Sequence, residues 1–192
     1  MSENISDNIP KWLQIFYIII GSITVVFGFI VMINVFDETI LVLLLGIVLL
    51  VNSINRFIIG NFDKKLNKEV KISNIVIGIV LLPLAIIAIA GYFTISIGII
   101  LVLLALAIIF IGIQSIVRGY ISHTRKTIYR LAIIIAGYIL IGLTILSLGY
   151  DSLQDKFKIL ILGTAIVIIG LVRIAEGIIG KQVMKQPKRE YV

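Results

Sequence analysis

Six apolar stretches, each long enough to cross a bilayer, fill this chain: Trp12–Phe36, Ile40–Ile59, Ile72–Tyr92, Ile95–Val117, Ile128–Leu148 and Phe157–Ile179. About 20 consecutive apolar residues cross the roughly 30 Å of hydrocarbon in a membrane. Charges within the six stand only towards their ends: Arg56, Arg130, Lys158, Arg173 and Glu176. The expected class is therefore all-α: a polytopic membrane protein with six transmembrane helices. With 60% hydrophobic residues, 14% charged and a mean hydropathy of +1.17, the chain lies far outside the soluble range. Outside the spans only short loops and two short ends remain. The organisation reads as one membrane domain over 1–192, with a basic tail at 181–192.

The opening MSENISDNIPK places Glu3 and Asp7 where a cleaved signal would carry basic residues. The first apolar stretch is instead read as a permanent span, with Trp12 and Tyr17 as interfacial anchors. No cysteine occurs, which excludes disulfides, thiolate metal sites and cysteine nucleophiles. Charge distribution supplies an orientation. Lys11 and the segments 56–71, 118–130 and 173 onward hold fifteen of the seventeen Lys and Arg residues. The alternate loops hold only Lys156 and Lys158, beside Asp37, Glu38, Asp151 and Asp155. Basic connections remain on the cytoplasmic side, so both ends are expected there, in a prokaryotic plasma membrane. The same bias accounts for the net charge of +7 without a nucleic-acid partner. The basic loops and tail suit contact with anionic lipid headgroups.

Within the spans a pair of stretches recurs about every 58 residues. In the even spans small residues repeat every seven positions: Gly46, Ser53, Gly60; Ala105, Gly112, Gly119; Gly163, Gly170, Gly177. The odd spans align as Gly21 and Gly28, Gly78 and Ala85, Gly137 and Thr144. This pattern predicts three parallel two-helix repeats, near 12–60, 72–119 and 128–180, about an axis along the membrane normal. Seven-residue spacing puts the small residues on one helical stripe, where backbones can approach. Helix packing is thus their expected role. Pro83, without a proline at Val26 or Gly142, predicts a kink in the second repeat alone.

The polar residues inside the spans gather at one depth: Asn52, Asn55 and Arg56, then Gln114, Ser115 and Arg118, then Arg173 and Glu176. Intramembrane polar groups are functional candidates by default. The plainer expectation for Arg56, Arg118 and Arg173 is that each snorkels to the interface or caps its helix end. Glu176, three residues after Arg173, is expected to pair with it. Asn52, Asn55 and Gln114 are expected to bond across helices.

Enzyme chemistry has little support. His123 is the only histidine and lies in a basic loop, and no acid or histidine spacing suits a metal. No catalytic, metal or cofactor residue is assigned. The ending Gly170–Leu171–Val172–Arg173–Ile174–Ala175–Glu176–Gly177, weaker at Ser53–Ile54–Asn55–Arg56–Phe57–Ile58–Ile59–Gly60, resembles that of the HdeD-type short-repeat membrane proteins. The resemblance implies six spans in three repeats and suggests a setting in acid resistance or another stress response. Ser115 departs from the arginine position. Two functions stay open. One is a non-enzymatic accessory membrane component with a dry interior. The other is a small transporter or channel for an anion or proton, with the polar cluster as a cytoplasmic vestibule. The oligomeric state is open, a homo-oligomer included.

Overall fold

The computed structural model describes residues 11–33, 37–62, 68–91, 95–121, 127–149 and 155–182. They form six helices: α1 (Lys11–Ile33), α2 (Glu38–Phe62), α3 (Lys68–Ala90), α4 (Ile97–Ile121), α5 (Thr127–Gly149) and α6 (Asp155–Gln182). All six are long and apolar enough to cross a membrane, and the chain is a multi-pass membrane protein. Asn34, His123, Asp151 and the tail from residue 183 lie outside the described residues, as do Glu3 and Asp7.

Several helices run past the apolar stretches. α3 begins at Lys68 rather than Ile72, α4 ends at Ile121, and α6 reaches Gln182. Apolarity marks where the chain meets hydrocarbon, whereas backbone hydrogen bonding continues into the polar interface. Acidic Glu38, Glu69 and Asp155 sit in the first turns of α2, α3 and α6, where they complement the positive helix ends. Ser96 accepts the first amides of α4 through its carbonyl. α3 is helical on both sides of Pro83.

The helices divide into an inner and an outer set. Between 50% and 56% of each apolar span is buried in α2, α4 and α6, against 28% to 33% in α1, α3 and α5. The inner three meet one another, and the outer three pack around them. The closest neighbours are α1 with α6, α2 with α3, and α4 with α5. Contact of α1 with α6 closes the ring.

Small residues explain these three close approaches. A Cβ added at Gly137 would lie 2.7 Å from the Gly112 carbonyl oxygen. One at Gly21 would lie 2.9 Å from that of Gly170, and one at Gly78 3.2 Å from that of Ser53. Gly28 and Gly163 face each other across α1 and α6, and Gly177 meets Gln14 and Ile18. Gly46 and Gly60 abut α3, while Gly119 abuts α5. Ala85, Ala105 and Thr144 are fully buried. By contrast Gly98, Gly142 and Gly149, outside the seven-residue register, have open space where a side chain would go. In a lipid solvent, dispersion between close backbones replaces the hydrophobic drive to associate.

Candidate functional site: a buried ionic cluster at one end of the bundle

The inner helices line the axis with a three–four spacing. Positions 45, 49, 52, 56 and 59 of α2 correspond to 104, 108, 111, 115 and 118 of α4, and to 162, 166, 169, 173 and 176 of α6. This is the alternation of a coiled-coil seam, which keeps one face of each helix turned toward its neighbours. Leu45, Leu104 and Leu162 share a void of about 10 Å³ with Leu49, Ile108, Ile166, Ile111 and Ile169, and Asn52 is its one polar lining residue. A water needs roughly 10–15 Å³ and several polar partners, so a void of this size with a single amide beside it is dry. Asn52 is the first polar side chain along this seam.

Beyond Asn52 the seam turns ionic. Arg56, Ser115 and Arg173 come next, then Ile59, Arg118 and Glu176. Arg118 Nη1 donates to Glu176 Oε1 at 2.5 Å, and Arg173 Nη1 donates to Oε2 of the same carboxylate at 3.2 Å. The two ends of the first bond occupy corresponding positions of α4 and α6. The third such position is Ile59, fully buried against Leu13 and Tyr17. One carboxylate thus bridges two arginines, and sharing a corresponding position with Arg118 rather than an exposed face is what makes this geometry available.

The snorkelling expectation is corrected here. Arg56, Arg118 and Arg173 are 4%, 8% and 3% exposed, so all three guanidinium groups lie inside the bundle. Arg118 and Arg173 stay inside because Glu176 supplies a counter-charge there. The capping expected of Arg118 is performed by Arg130 of α5, which donates to the carbonyls of Gly119 (3.0 Å) and Tyr120 (3.1 Å) at the end of α4. Arg56 has no ion pair among the described residues, and its Nε has no hydrogen-bond partner.

The amides behave unequally. Gln114 Nε2 donates across to Asn74 Oδ1 of α3 at 2.7 Å. Asn52 instead bonds its own helix, donating to the Val48 carbonyl at 2.9 Å, and neither amide atom of Asn55 has a partner. Of these three amides, cross-helix bonding therefore holds for Gln114 alone, which meets Asn74 of α3. Ser53 adds a second polar tie, donating to the Gly78 carbonyl at 2.7 Å.

The outer helices complete the cluster with side chains that the even-span pattern leaves out. Asn74 is fully buried, and Gln14, Tyr17 and Tyr129 are nearly so. The Tyr17 ring lies 5.9 Å from the Arg173 guanidinium carbon, and Tyr17 also interacts with Arg118. All four stand near the N-terminal ends of α1, α3 and α5, beside the C-terminal ends of the inner helices. Their sequence signal was a polar residue facing the partner helix one or two turns from a packing glycine, as Asn74 stands before Gly78.

Between these groups lies a polar chamber with about 20 Å³ open to the centre of a water-sized sphere. Arg56, Gln114, Ser115, Arg118, Arg173 and Glu176 supply its polar lining, and Ile133 and Leu140 of α5 part of its apolar wall. Three arginines face one glutamate, an excess of two positive charges among the described residues. No group of three potential metal-ligating side chains occurs among those residues. No family model matches the chain, and neither the curated proteins nor the solved structures contain a match to it.

Proposed function

We propose that this chain is a non-enzymatic accessory protein of a prokaryotic plasma membrane, whose interior is an ionic lock rather than a conduit. In this reading the three two-helix repeats close about an axis along the membrane normal. The segments flanking the bundle and the basic loops face the cytoplasm, where they contact anionic headgroups. The resemblance to HdeD-type proteins suggests stress, acid stress included, as its setting. The observation that carries the reading is the dry apolar column from Leu45, Leu104 and Leu162 to Ile111 and Ile169. A solute path needs wetted lining while it conducts, and this half of the axis offers only Asn52, level with Ile111 and Ile169.

One observation favours the alternative of anion or proton transport: the chamber carries three arginines and one glutamate at one end of the axis. That function requires the column to open. The test is flux from liposomes containing the purified protein, with chloride, nitrate and proton gradients read separately. The accessory reading expects rates equal to those of protein-free liposomes. Saturable, protein-dependent flux of any of the three refutes it.

A further inference from the structure

The charge balance of the chamber is incomplete. Both oxygens of Glu176 are engaged, one with Arg118 and the other with Arg173. Arg56 lines the same chamber, is 4% exposed and lies within electrostatic reach of both other arginines, which repel it, and of Glu176 and Tyr17, which attract it less. No carboxylate among the described residues pairs with it. Its Nε and the Arg118 Nη2 are both buried donors without an acceptor. Water filling the chamber satisfies donors but leaves the excess charge, and a buried charge persists only when paired.

We propose that the chamber binds one small monovalent anion of the halide class, chloride above all, held between the Arg56 and Arg118 guanidinium groups. Charge-assisted hydrogen bonds from two guanidinium groups are the strong class for such a ligand. The chamber, about 20 Å³, exceeds the roughly 10–15 Å³ required by one water. A monatomic halide is the anion that demands least further room there, and a tetrahedral phosphate or sulfate, or the phosphodiester of a lipid headgroup, demands more. Gln114 and Ser115 add to its polar lining, and Ile133 and Leu140 to its apolar lining. The site is independent of conduction: the closed-axis reading stands or falls on flux, and this one on binding.

The test is the thermal midpoint of the purified full chain in detergent, titrated with chloride or bromide. Gluconate and sulfate serve as controls at matched ionic strength. A saturable rise with the halides alone is expected, and Arg56→Gln should raise the half-saturating concentration roughly tenfold or more. An equal response to all four anions overturns the proposal, because it reports surface screening. A halide response that survives Arg56→Gln unchanged overturns it too. Should that variant fail to fold, chlorine-35 NMR line broadening of the unaltered protein decides. Saturable broadening reversed by bromide but not by sulfate supports the site, and its absence removes it.

Discussion

Replacing Glu176 by Gln tests the ionic cluster with almost no change of shape. Glu176 is 5% exposed and accepts from Arg118 at 2.5 Å and Arg173 at 3.2 Å. Gln retains one acceptor oxygen and the side-chain volume, so packing contributes little to the difference. What changes is charge: the cluster goes from three arginines and one acid to three arginines alone. Removing one partner of a buried pair costs about 3–5 kcal/mol, because the remaining charge stays in a poor solvent. That is a large share of a total stability of about 5–15 kcal/mol. At about 2–4 °C per kcal/mol for a chain of this size, the midpoint should fall by roughly 6 °C or more. Trp12 supplies a reporter, since its ring lies edge-on to Phe62 of α2 at 6.2 Å and senses separation of α1 from α2. Graded denaturation in detergent, followed by Trp12 fluorescence, gives the free-energy difference. Arg118→Gln combined with Glu176→Gln should be more stable than Glu176→Gln alone, with a coupling of about 0.5–3 kcal/mol. A Glu176→Gln protein within about 1 kcal/mol of the parent would refute the argument that this carboxylate holds the arginines inside.

Further consequences can be checked by the same unfolding measurement. Gly170→Ala places a Cβ 2.8 Å from both the Gly21 carbonyl oxygen and the Val25 backbone nitrogen, so α1 and α6 must separate, at a cost of about 1–3 kcal/mol. Gly142→Ala meets open space within α5 and should be neutral or stabilising by up to about 1 kcal/mol, which separates packing from any general intolerance of glycine loss. Ser53→Ala removes the bond to the Gly78 carbonyl and should cost about 0.6 kcal/mol, at most about 1.7. Gln114→Leu strands the Asn74 amide and should cost about 1–3 kcal/mol. The double change of Asn74 and Gln114 to Leu should recover much of that loss, because neither position then carries an amide to leave unpartnered.

The reach of sequence reasoning differs between scaffold and site. Six spans follow from apolar length alone, because hydrocarbon admits no other way of satisfying so long a backbone. The sevenfold small residues mark contacting faces, as Gly21, Gly137 and Gly170 show, but they do not say which helices meet. That choice depends on closure of the ring, and it pairs α6 with α1, at opposite ends of the chain. Arg173 with Glu176 is a local i, i+3 relation, visible in one dimension. Arg118 with Glu176 spans 58 residues and becomes visible only when positions 59, 118 and 176 are aligned as one seam. Distance to the helix end suggested snorkelling for the arginines, and proximity to the interface permits it. For Arg118 and Arg173 a carboxylate on the axis outweighs that option. Asn74 hid near the start of an apolar stretch because one amide hardly changes mean hydropathy, although its partner Gln114 was in view.

Because the chain has no cysteine, accessibility along the axis can be read one position at a time. Single cysteines at Leu45 and Ile108 lie on the apolar column, and one at Asn61 is an exposed reference on α2. Each folded variant is exposed to a small hydrophilic thiol reagent from either side of the membrane. The closed bundle predicts rapid reaction at Asn61 and none at Leu45 or Ile108. Reaction at either axial position at a rate near that of Asn61 would mean a water-filled axis, contradicting the dry column on which the account depends.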